Sequence, residues 1–533
     1  MGRTTTNQSN DLGIISMTSG AALSAGDLLI NTDAGKAAKA SDGVFSANNS
    51  TAQGATILAS ASNVTSESGT WYLSTYYRER SSCELSDGNI VHTFSGNTVS
   101  QNNWVNFVIR NISNGTLASR VQASNLSGIQ SIQVVSLLGQ NKFVIAWGNS
   151  TNQSFRIYNN DGTPVTSAIS VFTDNQNGDA SYWHLSALND GGFVIAANKN
   201  VSPYPLRFKR YNAAGVLQGS ETTVESSSNP FRISIIPVSD GGFVIAWYSA
   251  QNSRHSMSKY DASGTLVGSQ QNIPSSATYS QSSGNWADNQ IIELSDGKIA
   301  RLYGNSSDGY WRVSLRSSSL ALLADVVLGS TAPGNQPIPG MCRYGNGFAV
   351  VPWSSGNVRL ILVSNSGGII ANNPGNVSVS GQNVTGCGAD VTYFGGGYFG
   401  IFNVGNNDGG NTYEHRTGVV NESGSNEGSV RVLLSAQQSY HHYAFWHSSN
   451  VLVSRYGTNT NTYTVSTNNL RKSVLGVALD SVSADQTVRV GTKGVYQLTA
   501  NFNGGGNFDN TAAIVPGSRG VVAGSTAHLF GIN

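Results

Sequence analysis

One phrase constrains this chain more than any other feature. SDGGFVIAWYS stands at residues 239–249, NDGGFVIAA at 189–197 and GQNKFVIAW at 139–147. Recurrence at a fixed interval of about fifty residues marks a repeat architecture, in which each unit buries its apolar surface against its neighbours. Further copies read Leu85-Ser86-Asp87-Gly88-Asn89-Ile90-Val91, Leu294-Ser295-Asp296-Gly297-Lys298-Ile299-Ala300, Tyr344-Gly345-Asn346-Gly347-Phe348-Ala349-Val350 and Phe394-Gly395-Gly396-Gly397-Tyr398-Phe399-Gly400, with a degraded copy at 439–446. In the copy at 139–147, the alignment puts Leu138 at the apolar position before the turn.

Each copy carries a second phrase downstream, as in Tyr158-Asn159-Asn160-Asp161-Gly162, Tyr211-Asn212-Ala213-Ala214-Gly215 and Tyr260-Asp261-Ala262-Ser263-Gly264. Asn, Asp and Gly supply the positive φ that tight hairpin turns require. One unit therefore reads strand, DGG turn, strand, variable loop, strand, NxxG turn, strand. That is a four-stranded meander. FVIAW is apolar on both faces, whereas a strand solvated on one face alternates, so this strand must be sandwiched. The expected fold class is all-β: a β-propeller of eight four-stranded blades, or alternatively seven, spanning 51–468. The recurring Asp87, Asp190, Asp240 and Asp296 read as turn formers, and Trp147, Trp247 and Trp353 as blade core.

The meander also predicts two unlike faces. Both turn phrases fall at one end of the blade. The irregular loops at 95–104, 148–154, 198–206, 248–257, 304–311 and 403–413 fall at the other. Scaffolds place recognition on variable loops. Aromatic rings stack on sugar faces, and Asn and Arg bind hydroxyls, so the candidate ligand contacts are Trp104, Tyr204, Asn252, Arg254, His255, Tyr310 and Trp311.

Composition narrows the rest. Charged residues make up 11% and Gly numbers 61, which suits strands joined by tight turns. Net charge is +1, leaving no basic excess to neutralise phosphates, so nucleic acid is not an expected partner. No apolar run reaches about 18 residues, so membrane insertion through a helix is not expected. Residues 1–20 lack the apolar core of a signal peptide. The three cysteines, Cys83, Cys342 and Cys387, build no disulfide framework and no metal cluster. His441 and His442 point to opposite faces of a strand and cannot share an ion without a bend. Residues 406–410 and 504–509 read as turns, lacking a regular calcium-loop pattern. Ser306-Ser307-Asp308-Gly309-Tyr310-Trp311 approaches a sialidase Asp box but lacks its spacing, and no other catalytic motif is present, so no enzyme, cofactor or metal is expected.

The flanks fall outside the repeat. Leu23-Ser24-Ala25-Gly26-Asp27-Leu28-Leu29-Ile30-Asn31 near the start, and RKSVLGVALDSVSADQTVRVGTKGVYQL at 471–498, resemble successive halves of a small β module of decoration and fibre proteins from tailed-phage virions. The propeller phrase resembles DGGFVVxW-type repeats of bacterial surface and phage proteins. These resemblances imply a small β docking domain split into 1–50 and 469–533, the latter ending in a C-terminal arm, with the propeller inserted between the halves. They further imply a structural virion protein, placed as head decoration, head fibre or tail appendage. It would be assembled in the host cytoplasm, homo-oligomeric on the particle, in contact with other capsid or tail proteins, and presenting its loops to host-surface glycan. A secreted or surface bacterial lectin or adhesin is the alternative, and a propeller glycosidase the third reading.

Overall fold

The protein's structure, a computed structural model, describes residues 81–437 with short breaks and, outside that span, only the strands named below. Every element among the described residues is a β-strand.

The opening phrase shows how the sequence builds one unit. Val238 is buried ahead of the turn, Oδ1 of Asp240 accepts the Gly242 N–H at 3.0 Å, and Gly241 takes φ +91°. That left-handed value is open to glycine and costly for a residue with a Cβ. The reversed chain enters Phe243–Ser249, buried along its whole length. This strand lies antiparallel between Pro230–Pro237 and Arg254–Tyr260, and Leu266–Asn272 adds the fourth strand. The same order recurs in Ser131–Leu137, Lys142–Gly148, Gln153–Asn159 and Ile169–Phe172, and again in Trp183–Ala187, Phe193–Asn198, Leu206–Tyr211 and Leu217–Glu225. It continues in sheets whose second strands are Ile299–Asn305, Gly347–Val351 and Tyr398–Asn406. Ahead of them all, Ser82–Glu84, Ile90–Asn97, Val105–Arg110 and Thr116–Ser124 form a sheet in the same order, where Thr70–Tyr72 also pairs with Ile90–Asn97. The others are named below by the first large apolar residue of the second strand: Phe143, Phe193, Phe243, Ile299, Phe348 and Phe399.

The first strands meet one another in sequence order. Ser82–Glu84 lies against Ser131–Leu137, which lies against Trp183–Ala187, and the succession runs on through Pro230–Pro237, Ile291–Glu293, Gly340–Tyr344, Ala389–Gly395 and His442–His447 back to Ser82–Glu84. Twisted four-stranded sheets with their first strands gathered together and their fourth strands outermost are the blades of a β-propeller. The outermost strands are edges. Leu217–Glu225 and Leu266–Asn272 each carry a positive-φ glycine, Gly219 at +79° and Gly268 at +73°, next to a break in register. Such bulges bend an edge away from a flat template for pairing.

The core lies between sheets, and a repeated aromatic triad organises it. Phe143 stacks on Tyr158 at 5.4 Å, Phe193 on Tyr211 at 5.4 Å and Phe243 on Tyr260 at 5.3 Å, each pair within one sheet. Phe107, Phe155 and Phe208 of the preceding sheets meet these pairs edge-on. Edge-to-face rings add about 1 kcal/mol beyond their area. Where the third strand ends in arginine instead, at Arg110 and Arg316, the partner across the strands is Ile90 or Ile299.

Two sequence alignments need correction. In the Phe143 sheet the turn is one residue longer than in its sisters. Leu137 takes the buried position, and Leu138 is 60% exposed. In the degraded copy, His442–His447 is the first strand of its sheet, not the second. Val451–Gly457 is the second and Tyr463–Asn469 the third. The fourth comes from the other end of the chain: Thr56–Asn63 pairs antiparallel with Tyr463–Asn469. Residues 407–410, 441 and 504–509, weighed above for metal binding, lie outside the described residues, as does Cys387.

Strands from both ends of the chain share a further sheet. Ile14–Thr18 pairs with Thr487–Gly491, which pairs with Val474–Ala478, then Leu28–Asn31, then Ala37–Lys39. Gly494–Gln497, His528–Ile532 and Gly520–Ala523 form a separate three-stranded sheet.

Candidate functional site

The two ends of the blades differ in their chemistry. At the turn end, side chains tie each sheet to the next. The residue before the turn aspartate does much of this. Ser86 donates to Asn141, Asn189 donates to the Val238 carbonyl and Ser295 donates to the Gly345 carbonyl. The backbone N–H and hydroxyl of Ser239 both donate to the Glu293 carboxylate, the latter at 2.7 Å. Lysines do the rest: Lys142 reaches the Ala213 carbonyl, and Lys259 reaches the Ser318 carbonyl at 2.7 Å while pairing with Asp240. The lysine hydrogen bond holds the Asp240 carboxyl below the usual carboxylate range, assisted by the Gly242 N–H. The uniform end is therefore occupied with holding sheets together.

The loop end carries the candidate contacts. Asn252 is exposed, and its N–H donates to the Ser249 hydroxyl at 3.3 Å. Arg254 is partly buried beside Glu225 of the preceding sheet at 3.9 Å, where Gln270 also donates to Glu225. Tyr310 is 39% exposed at the start of its strand. Tyr204 is half-buried, with φ +58° and its N–H donating to the Val201 carbonyl. Trp104 is half-buried, and its carbonyl accepts from the Asn106 side chain. Asn252 lies just ahead of the strand that Arg254 begins, while Trp104, Tyr204 and Tyr310 belong to three other sheets.

Two of the expected exposed contacts are interior. Trp311 is 1% exposed and packs with Leu302, Val313, Met341 and Val350 between the Ile299 and Phe348 sheets. Alternation decides this: Tyr310 points outward at the strand start, so Trp311 points inward. His255 is 4% exposed, with its ring 5.0 Å from Tyr248 and 5.8 Å from Tyr303.

His255 leads to a group that the repeat reading missed. Arg301 of the Ile299 sheet is wholly buried and crosses to the Phe243 sheet. It donates to the Ser256 carbonyl at 2.6 Å, the Trp247 carbonyl at 2.9 Å and Nδ1 of His255 at 3.1 Å. Burial, and then the neighbouring Arg316, lower its pKa to about 9. Arg316 is itself buried, donating to the Leu320 and Asn272 carbonyls. Beside it, the Tyr303 hydroxyl donates to Asp325 at 2.6 Å, and Arg312 donates to the other oxygen of that carboxylate. The sequence did hold a signal. The repeat places Ile145, Ile195 and Ile245 where the Ile299 sheet has Arg301.

No family model matches the chain, and no curated protein matches it. Among solved structures, the Dos1 propeller aligns over 78% of this chain and 96% of its own, at 10% identity and a TM-score of 0.45. A eukaryotic initiation factor aligns over 79% and 98%, at 10% identity and a TM-score of 0.39. Kluyveromyces lactis Hsv2 aligns over 69% and 99%, at 10% identity and a TM-score of 0.35. The propeller assignment stands on the repeated sheets themselves. Among the described residues, no group of three or more His, Cys, Asp or Glu is gathered to hold a metal ion, and no helix is long and apolar enough to cross a membrane.

Proposed function

We propose that the chain is a structural display protein of a tailed-phage virion. In this reading an eight-bladed propeller is closed by Thr56–Asn63 and carried on a small domain split between the two chain ends. The observation that carries it is the terminal sheet, in which Ile14–Thr18 and Leu28–Asn31 pair with Thr487–Gly491 and Val474–Ala478. A domain whose strands come from both ends, with a closed repeat between them, holds the repeat as an insertion, since a ring returns its ends to one place. The flanking strands are those whose sequence resembles virion docking modules. The loop end, which varies from unit to unit, would recognise host-surface glycan, with Tyr310, Asn252, Arg254, Tyr204 and Trp104 as contacts. Tyr310, the exposed ring among them, is the first stacking platform to test.

The test is copurification. Gradient-purified particles from the source that encodes this chain should contain it at a fixed stoichiometry resistant to high-salt washing. Its absence from particles, together with glycan binding by the free protein, would favour the lectin or adhesin alternative. Turnover of a glycoside would favour the glycosidase.

A further inference from the structure

The joint between the Phe243 and Ile299 sheets packs Val244, Ala246 and Met257 against Ile291 and Ile299, as its sisters pack apolar side chains, but it adds a buried charged group. In the sister joint between the Phe143 and Phe193 sheets, the residue at the Arg301 position is Ile195, which packs with Val144, Phe155 and Leu185. Here Arg301 replaces the repeat's isoleucine, and His255 stands where the sister third strands have Gln153 and Leu206. All of these residues are buried.

An arginine can only donate hydrogen bonds, so a bond between Arg301 Nη2 and His255 Nδ1 requires Nδ1 to accept. The joint therefore selects the neutral imidazole with its proton on Nε2. A proton on Nδ1 would remove the acceptor and set two cations face to face where little water can screen them.

The other charged and titratable neighbours do not reverse this. From the Ile299 sheet come Arg301, Arg316 behind it, and Tyr303, whose hydroxyl is given to Asp325, a carboxylate also held by Arg312. From His255's own sheet come Tyr248 and the adjacent Arg254, the latter paired with Glu225 of the preceding sheet. Among these described residues, the nearest excess is positive.

We propose that His255 and Arg301 form an acid-sensitive latch between these two sheets, closed when His255 is neutral and released when it takes a proton. In the unfolded or opened chain an imidazole binds its proton at about pH 6.5. The closed joint excludes that proton, so the open state binds more protons below this pH. The latch contributes fully above about pH 6.5 and weakens as pH falls. Its release would weaken this joint under acid conditions, leaving the apolar cluster beside it as the remaining contact, while the other joints are unaffected.

Hydrogen exchange of the full-length protein, corrected for intrinsic rates, tests this at pH 7.5 and 5.0. Protection in Phe243–Ser249 and Ile299–Asn305 should fall by about thirtyfold at pH 5.0, the linkage expected for one proton between pH 6.5 and 5.0. Protection in Lys142–Gly148 and Phe193–Asn198 should change little. His255→Gln places the residue of the Phe143 sheet's own repeat at this position, keeps an acceptor and removes the titration, so it should abolish the selective loss. Equal loss at all four strands, retained protection at the two named strands, or an unchanged acid response in His255→Gln would overturn the proposal. The wild-type comparison decides even if the variant does not fold.

Discussion

Phe243 and Tyr260 lie nearly parallel within one sheet, 17° apart with centroids at 5.3 Å, and Phe208 of the preceding sheet stands edge-on to both. The first two come from the start of a second strand and the end of a third, which the register places opposite one another. The third belongs to the neighbouring unit. The repeat therefore encodes its own stacking in this part of the ring, where the Phe143 and Phe193 sheets each supply a pair to one side and an edge to the other.

Phe208→Ala should destabilise the protein by about 3–5 kcal/mol, since it removes a large buried ring and leaves a cavity between sheets. Tyr260→Ala should cost a similar amount. The double variant should cost less than the two together, by roughly 0.5–1.5 kcal/mol of ring coupling. Denaturant unfolding of the three variants measures this, and strict additivity would mean that the rings do not act as a unit.

Gly241 has open space around its Cβ position, the nearest side-chain atom being Ala262 Cβ at 3.9 Å, so its requirement is conformational. At φ +91°, Gly241→Ala should cost about 1–2 kcal/mol. Gly241→Asn should cost less, because asparagine tolerates the left-handed region, as Asn141 does at +50° in the Phe143 sheet's turn. Thermal melts of both variants give the ranking, and equal losses would show that backbone conformation is not what fixes this glycine.

The Asp240 carboxyl is held below its usual range first by its hydrogen bond from Lys259. A depressed carboxylate contributes stability that is present above its unfolded value, about 3.9, and is lost as pH falls through the folded value. Asp240→Asn should therefore lower stability at pH 7 and flatten the fall in stability below about pH 4. A pH titration of melting temperature should show this contribution as distinct from the latch, whose loss begins near pH 6.5.

If Tyr310 stacks on a sugar face, Tyr310→Ala should weaken binding to any glycan the protein selects on an array by roughly tenfold, in line with about 1–2 kcal/mol for loss of one aromatic platform. Trp311→Ala should act on stability instead, because that ring lies in the core. An unchanged affinity in Tyr310→Ala would move recognition away from this loop.

The unit was legible in the sequence because its signals are local. Asp240-Gly241-Gly242 announces a reversal, and Phe243 to Trp247 is apolar on both faces. What escaped depends on phase or on distance. One extra turn residue exchanged Leu138 for Leu137, and no composition rule counts turn residues that finely. The shift of the last copy by one strand has the same origin: Tyr443 to Trp446 are apolar, as a first strand or a second strand would be. Thr56–Asn63 gave no sign of its partner, because pairing across some four hundred residues leaves no local trace. At the loop end, the strand began inside the stretch read as loop, so the inward turn of Trp311 and His255 could not be phased. Arg301 was visible as a break in the pattern of Ile145, Ile195 and Ile245, but its meaning came from the neighbouring sheet.

The most direct measurement is a cryo-electron reconstruction of purified particles, with the chain tagged in the connection between Ser249 and Arg254. The account predicts a ring-shaped projection with the terminal sheet against the particle and the tagged loop end facing outward. Particles without the chain, or a ring mounted with its variable loops against the shell, would contradict it.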